Sequence, residues 1–189
     1  VKPSEGYILI DGKKTYEDFT YRENIGYMSQ NAEFPENLTT KDLKEMLIGI
    51  RKAKKRLDEE LFELLNLAPY FEKPIKTLSG GTKQKVNAYL AFLFDPDFLI
   101  VDEPTAGLDL VSALRLKEKL VREKDKGKTI IMPSHIVNEV EEISDDVVLM
   151  AENKIFLHGS VDEIKKITGE PKLDMAIAKI ITQEAYKNE

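Results

Sequence analysis

The chain has 189 residues, enough for one domain and short for two. Hydrophobic residues make up 42% and charged residues 33%, the balance of an ordinary globular chain that can bury a real core. Lys and Arg total 28 against 34 Asp and Glu, a net charge of −6 that argues against a protein held mainly by nucleic-acid phosphates, and the absence of cysteine excludes disulfides, zinc–thiolate sites, iron–sulfur clusters and thiol nucleophiles.

Taken in chain order, residues 6–13 read as a strand meeting a tight turn, because Asp11-Gly12 accepts the positive φ angles of a type I′ hairpin. Ile25–Met28 is the next strand signal, followed by Ser29-Gln30-Asn31. Residues 39–94 look mostly helical. Thr40 is the expected cap of a helix carrying Leu43, Met46 and Leu47, and Leu57, Leu61, Leu64 and Leu65 form a stripe at helical spacing. Lys52, Lys54, Lys55 and Arg56 read as a solvated basic face. Phe98–Val101 has the continuous apolar run of a strand buried on both faces. A helix from Val111 to Lys126, stopped by Gly127, leads to a second buried strand, Thr129–Met132. Ile136, Val137, Val140 and Ile143 mark an amphipathic helix, so the strand–helix order predicts a parallel sheet with crossover helices. Residues 147–150 and 154–157 flank Glu152-Asn153 as a hairpin, Ser160 and Glu163 form a capping box, and a terminal helix carries Leu173, Ala176, Ile177 and Ile180. Its expected place is against its own domain.

No apolar run approaches the ~20 residues needed to span a bilayer. No secretory signal pattern opens the chain. The expected location is the cytoplasm, with a peripheral place on a membrane protein left open.

Four features carry chemistry. Asp102-Glu103 stand at the end of an apolar strand, where open α/β sheets bind ligands and where one carboxylate can hold Mg²⁺ while its neighbour orients water. Leu78-Ser79-Gly80-Gly81 precede a helix expected to start near Thr82, and a glycine-rich helix entry suits a phosphate. Gln30 follows a strand and can hydrogen-bond a metal-bound water. His135 follows Thr129–Met132 and can meet a phosphate oxygen. Singly each is weak; a lone histidine is more often structural.

Their order, with Gly107-Leu108-Asp109 just after the acidic pair, resembles the ATP-binding cassette (ABC) ATPase family from Gly6 to about Ile164. The resemblance makes residues 78–81 the signature motif, residues 100–104 the Walker B strand, Gln30 the Q-loop, residues 107–109 the D-loop and His135 the switch histidine. It implies an α/β, P-loop NTPase-like core, a mostly parallel sheet with flanking helices, plus an inserted helical subdomain. Within one partial cassette over 1–189, it apportions 1–30 and 95–158 to the core, 31–94 to the helical subdomain with the signature, and 159–189 to C-terminal helices. The implied cofactors are ATP and Mg²⁺. Asp102 and Gln30 would serve the metal, and Glu103, His135 and Gln30 catalysis. Ser79, Gly80, Gly81 and Asp109 would serve a nucleotide held by a second ATPase subunit, expected to be an identical copy. The implied partners are integral membrane transporter subunits on the cytoplasmic face, with no bilayer insertion by this chain and no nucleic acid. Residues 78–87, 91–96 and 169–174 are further similar to the ATPase of the nitrous-oxide-reductase maturation transporter.

Three departures stand out. Thr82 replaces the usual Gln, with the backbone donors unchanged. Pro133 precedes Ser134-His135, lacks an N–H and restricts Met132, so the backing of His135 is expected to differ. No G-x-x-x-x-G-K-[ST] sequence occurs in the 189 residues. The resemblance puts that loop upstream of residues 2–6, with its lead-in strand and an adenine-stacking aromatic, so the chain is expected to begin after it, to be inactive alone and to expose strand edges. The alternatives are a non-catalytic module offering its signature face to a complete partner, and a non-transport ABC ATPase.

Overall fold

Backbone pairing is carried by two antiparallel hairpins and one parallel three-stranded sheet among the described residues, which in this computed structural model are 4–16, 19–51, 57–151 and 154–187. The chain forms two compact units, Val1–Pro133 and Ser134–Glu189.

In the first unit, β1 (Leu9–Ile10) and β2 (Lys13–Lys14) form the expected hairpin. Asp11 and Gly12 have φ of 50° and 75°, both left-handed as a type I′ turn demands. Next come β3 (Ile25–Met28), α1 (Thr40–Arg51), α2 (Glu60–Leu64), α3 (Gly80–Phe92), β4 (Phe98–Val101), α4 (Leu110–Asp125) and β5 (Thr129–Ile131). The sheet runs β3-β4-β5 and is parallel, with Met28 opposite Val101 and Ile100 opposite Ile131. Its central strand is not buried on both faces as the apolar run suggested. Leu99 and Val101 are fully buried, while Phe98 and Ile100 are half-buried. β5 departs further, because it lies at the sheet's edge and Ile131 is 48% exposed. The period-2 alternation of a strand puts only one set of side chains under helices. α3 covers β3 so closely that a Cβ on Gly26 would collide with the carbonyl of Ala91.

The region between β3 and α3 also refines the expectations. Thr39, not Thr40, caps α1. Its hydroxyl accepts the Asp42 N–H at 3.1 Å, and Asp42 accepts the Thr39 N–H at 2.8 Å. Thr40 is the first helical residue, and its buried hydroxyl has no hydrogen-bond partner. The expected leucine stripe is split, since Leu57 precedes the five-residue α2 while Leu61 and Leu65 are buried. The basic run Lys52, Lys54, Lys55, Arg56 lies outside the described residues.

A buried ionic cluster fastens α4 to the start of α2. Lys119 Nζ, on a side chain 1% exposed, lies 2.6 Å from Asp58, 2.6 Å from Glu60 and 2.9 Å from Glu123. Lys126 and Lys128 also reach Glu123. Burial by itself opposes the charge on Lys119, but hydrogen bonds to Asp58, Glu60 and Glu123 outweigh it and hold its pKa above the ordinary lysine value. Burial likewise opposes charge on Glu123, yet its three lysine partners pull it down to about 2.

The second unit contains α5 (Val137–Ile143), β6 (Asp146–Ala151), β7 (Lys154–Ser160), α6 (Val161–Thr168) and α7 (Leu173–Lys187). β6 and β7 make the expected antiparallel hairpin, whose Glu152-Asn153 turn lies outside the described residues. The Ser160–Glu163 capping box is formed, and Gly169 ends α6 in the left-handed region. Leu173 and Ala176 are buried with Val147, Val161 and Ile164, so the terminal helix packs within its own unit.

Candidate functional site

Parallel pairing carries the chemistry to one edge of the sheet. The Asp102 N–H donates to the Met28 carbonyl at 2.9 Å, and the Glu103 N–H donates to the Pro133 carbonyl at 3.1 Å. The ends of β3, β4 and β5 are therefore stapled side by side just where the two carboxylates emerge. Glu103 has a φ of 47° and is 8% exposed. A non-glycine residue in the left-handed region costs energy unless its surroundings impose it, and such residues concentrate at functional sites. Here the Pro133 carbonyl on one side and the Ala106 N–H on the other, which donates to the Glu103 carbonyl at 3.1 Å, impose it.

Gln30 sits one residue beyond Ser29, whose carbonyl accepts Asn87 Nδ2 at 2.8 Å and Gln84 Nε2 at 3.5 Å. Both amides belong to α3 and are nearly buried. They fix the loop while leaving Gln30 exposed. Neither was singled out from the sequence. Two amides spaced i, i+3 in a helix otherwise turned inward by Val86, Ala88 and Tyr89 were the available signal.

The signature turn forms a second cluster. α3 starts at Gly80 rather than near Thr82, with Ser79 as its cap, so both glycines lie in the first turn, where N–H groups have no intrahelical acceptor. Ser79 Oγ accepts the Thr82 N–H at 3.2 Å and lies 2.8 Å from Thr82 Oγ1. The Thr82 substitution thus reaches the Ser79 hydroxyl itself. A Cβ on Gly81 would stand 2.8 Å from the Gly107 carbonyl oxygen, which makes glycine necessary for this contact. Asp109 caps α4 through the Ser112 N–H at 3.0 Å and pairs with Lys85 of α3 at 2.7 Å. The Lys85 ammonium, followed by Ser112, holds the Asp109 carboxyl well below the usual carboxylate range.

The sheet edge thus brings Gln30, Asp102 and Glu103 together, and the helix entry brings Ser79, Gly80 and Gly81 to the loop of Asp109. His135 is exposed in the second unit, in a turn where Ser134 Oγ accepts the Ile136 N–H at 3.1 Å. A third group, Asp58, Glu60 and Glu123, has metal-like spacing, but Lys119 already supplies its cation.

A family model described as ABC transporter matches residues 1–106. The ABC transporter ATP-binding protein YcbN of Bacillus subtilis is 33% identical over 87% of this chain and 55% of its own length. A further ABC transporter ATP-binding protein, from Caldanaerobacter subterraneus, is 30% identical over 87% of this chain and 72% of its own length. The chain spans about half the length of the first two curated relatives it matches, 55% and 50%. A solved structure described as the ATP-binding subunit of an ABC transporter superposes with a TM-score of 0.85 at 27% identity, covering 95% of this chain and 78% of that one. A dimeric ATP-binding cassette bound to ADP and Pi shares the fold at 22% identity and a TM-score of 0.71, covering 85% of this chain and 75% of that one.

Proposed function

This chain belongs to the ABC transporter family, and we propose that it provides the Walker B, Q-loop, signature, D-loop and switch parts of an ATP-hydrolysing subunit that drives transport through membrane partners. The observation that carries the reading is the stapled sheet edge, which delivers Asp102 and Glu103 side by side next to the Gln30 loop. In this reading Asp102 and Gln30 would hold Mg²⁺; their oxygen donors suit a hard cation. Such an ion would supply positive charge that offsets the negative charge of the phosphates. Glu103 orients the attacking water and accepts its proton, from a backbone that the Pro133 carbonyl keeps in one conformation. His135 contacts the γ-phosphate. Ser79 and the first-turn N–H groups of Gly80 and Gly81 meet the γ-phosphate of a nucleotide held by a second ATPase subunit, with the Asp109 loop at that boundary.

The 189 residues hold no G-x-x-x-x-G-K-[ST] sequence, and without a loop to cradle the phosphates they are expected not to turn over ATP alone. Residues around 31–76 would meet the membrane subunits, and Gln30 would couple them to the nucleotide. No helix among the described residues is long and apolar enough to cross a membrane, which fits a subunit that works through such partners. The stretches 78–87 and 91–96 support a narrower proposal, a transporter serving nitrous-oxide-reductase maturation.

The test is purification of the protein expressed from its own gene. ATP turnover together with co-purifying integral membrane subunits is expected. Turnover without them would point to a non-transport ATPase, and neither would favour a non-catalytic module.

A further inference from the structure

Lys85 stands four residues after Gly81 on α3, so the two share a helix face. Both meet the same loop. Gly81 lets the helix backbone reach the Gly107 carbonyl, and Lys85 Nζ lies 2.7 Å from Asp109 Oδ2. Gly107, with a φ of 76°, turns the chain so that this carbonyl and the Asp109 carboxylate face α3. Asp109 is meanwhile bound to α4: Oδ1 accepts the Ser112 N–H at 3.0 Å and Oδ2 accepts the Ser112 hydroxyl at 2.8 Å. Both carboxylate oxygens therefore have partners within this chain.

We propose that Lys85 is a positioning residue that locks the loop 107–109 to the signature turn, so that the two are presented to a nucleotide as one rigid junction. The inference rests on the ATPase reading for its consequence, but not for its geometry. Lys85 touches no reacting atom. It acts through Asp109, whose carboxylate it holds together with the Ser112 N–H and hydroxyl. The ammonium suits this task because one Nζ reaches a carboxylate that already caps a helix, while the glycine contact beside it fixes the spacing.

Two readouts on the protein expressed from its own gene test the proposal. The first is amide hydrogen exchange at residues 107–110 and 80–85 in Lys85→Met, Lys85→Arg and Asp109→Asn. Lys85→Met is expected to speed exchange in both segments several-fold, and Lys85→Arg to restore protection. Unchanged exchange in Lys85→Met, or failure of Lys85→Arg to restore it, overturns the proposal whether or not the protein hydrolyses ATP. The second is turnover. Lys85→Met is expected to lower kcat by about tenfold with KM little changed, as misplacement of a positioning element does, and Lys85→Arg is expected to recover most of that loss. Loosened exchange with unchanged kcat overturns the claim that the junction serves catalysis. A wild-type protein that shows no turnover contradicts the ATPase reading instead, and the exchange result still decides the junction.

Discussion

Lys119 and Lys85 each reach from a helix to carboxylates on a separate segment, yet they sit in opposite surroundings. Lys119 is 1% exposed and meets three carboxylates within 2.9 Å, whereas Lys85 is 21% exposed and meets one carboxylate that is 55% exposed. Removing one partner from a buried pair strands the others out of water, so the first cluster is bound up with stability. A solvent-screened pair contributes little to stability and can instead hold a local geometry. The molecule thus keeps a buried ionic cluster where α4 meets α2 and leaves the pair beside the signature turn exposed and lightly fastened.

The largest effect is expected from breaking the buried side of this contrast. Lys119→Met should lower stability by about 3–5 kcal/mol in chemical denaturation, because Asp58 loses its lysine and the buried Glu123 keeps only Lys126 and Lys128. A loss under about 1 kcal/mol would place the cluster with ordinary surface pairs. Gly81→Ala should cost about 1–3 kcal/mol, since its new methyl group meets the Gly107 backbone rather than a side chain that can move; a neutral result would show that the helix and the loop separate freely.

The pH dependence probes the buried cluster from both sides. Glu123 is pulled from 4.5 to about 2 by its lysines, so its stabilisation is full above pH 4.5 and is lost as pH falls toward 2. Lys119 is raised above 10.5, so its contribution is full below that value and fades as pH rises further. Denaturation midpoints measured across both windows should show both losses, and Lys119→Met should move the acid loss to higher pH. The smallest effect on stability is expected from Lys85→Met, whose midpoint should match wild type while exchange in the loop 107–109 rises. A large drop in midpoint would make Lys85 a second stability residue and erase the contrast.

The two regions also differ in how much the sequence reveals. The strand-end carboxylates, the glycine turn and the Ser160 box were legible because local chemistry specifies them: an apolar run, a residue pair tolerant of positive φ, a cap with its partner three residues on. Thr40 was read in place of Thr39 because both can cap, and only the Asp42 contact decides between them. The Phe98–Val101 run suggested two buried faces because composition does not say which side a helix covers. The Lys119 cluster was not legible, since its partners Asp58 and Glu60 lie 61 and 59 residues away in the chain. The Asn87–Ser29 bond spans 58 residues and was hidden for the same reason.

The central claim is that the stapled edge of the sheet hydrolyses ATP through Glu103. The most direct measurement is phosphate release by the protein expressed from its own gene, wild type against Glu103→Gln, with ATP binding recorded in parallel. The account predicts turnover reduced roughly 10²–10⁴-fold with binding retained, the effect of removing a positioned general base. Equal turnover in the two proteins would contradict it.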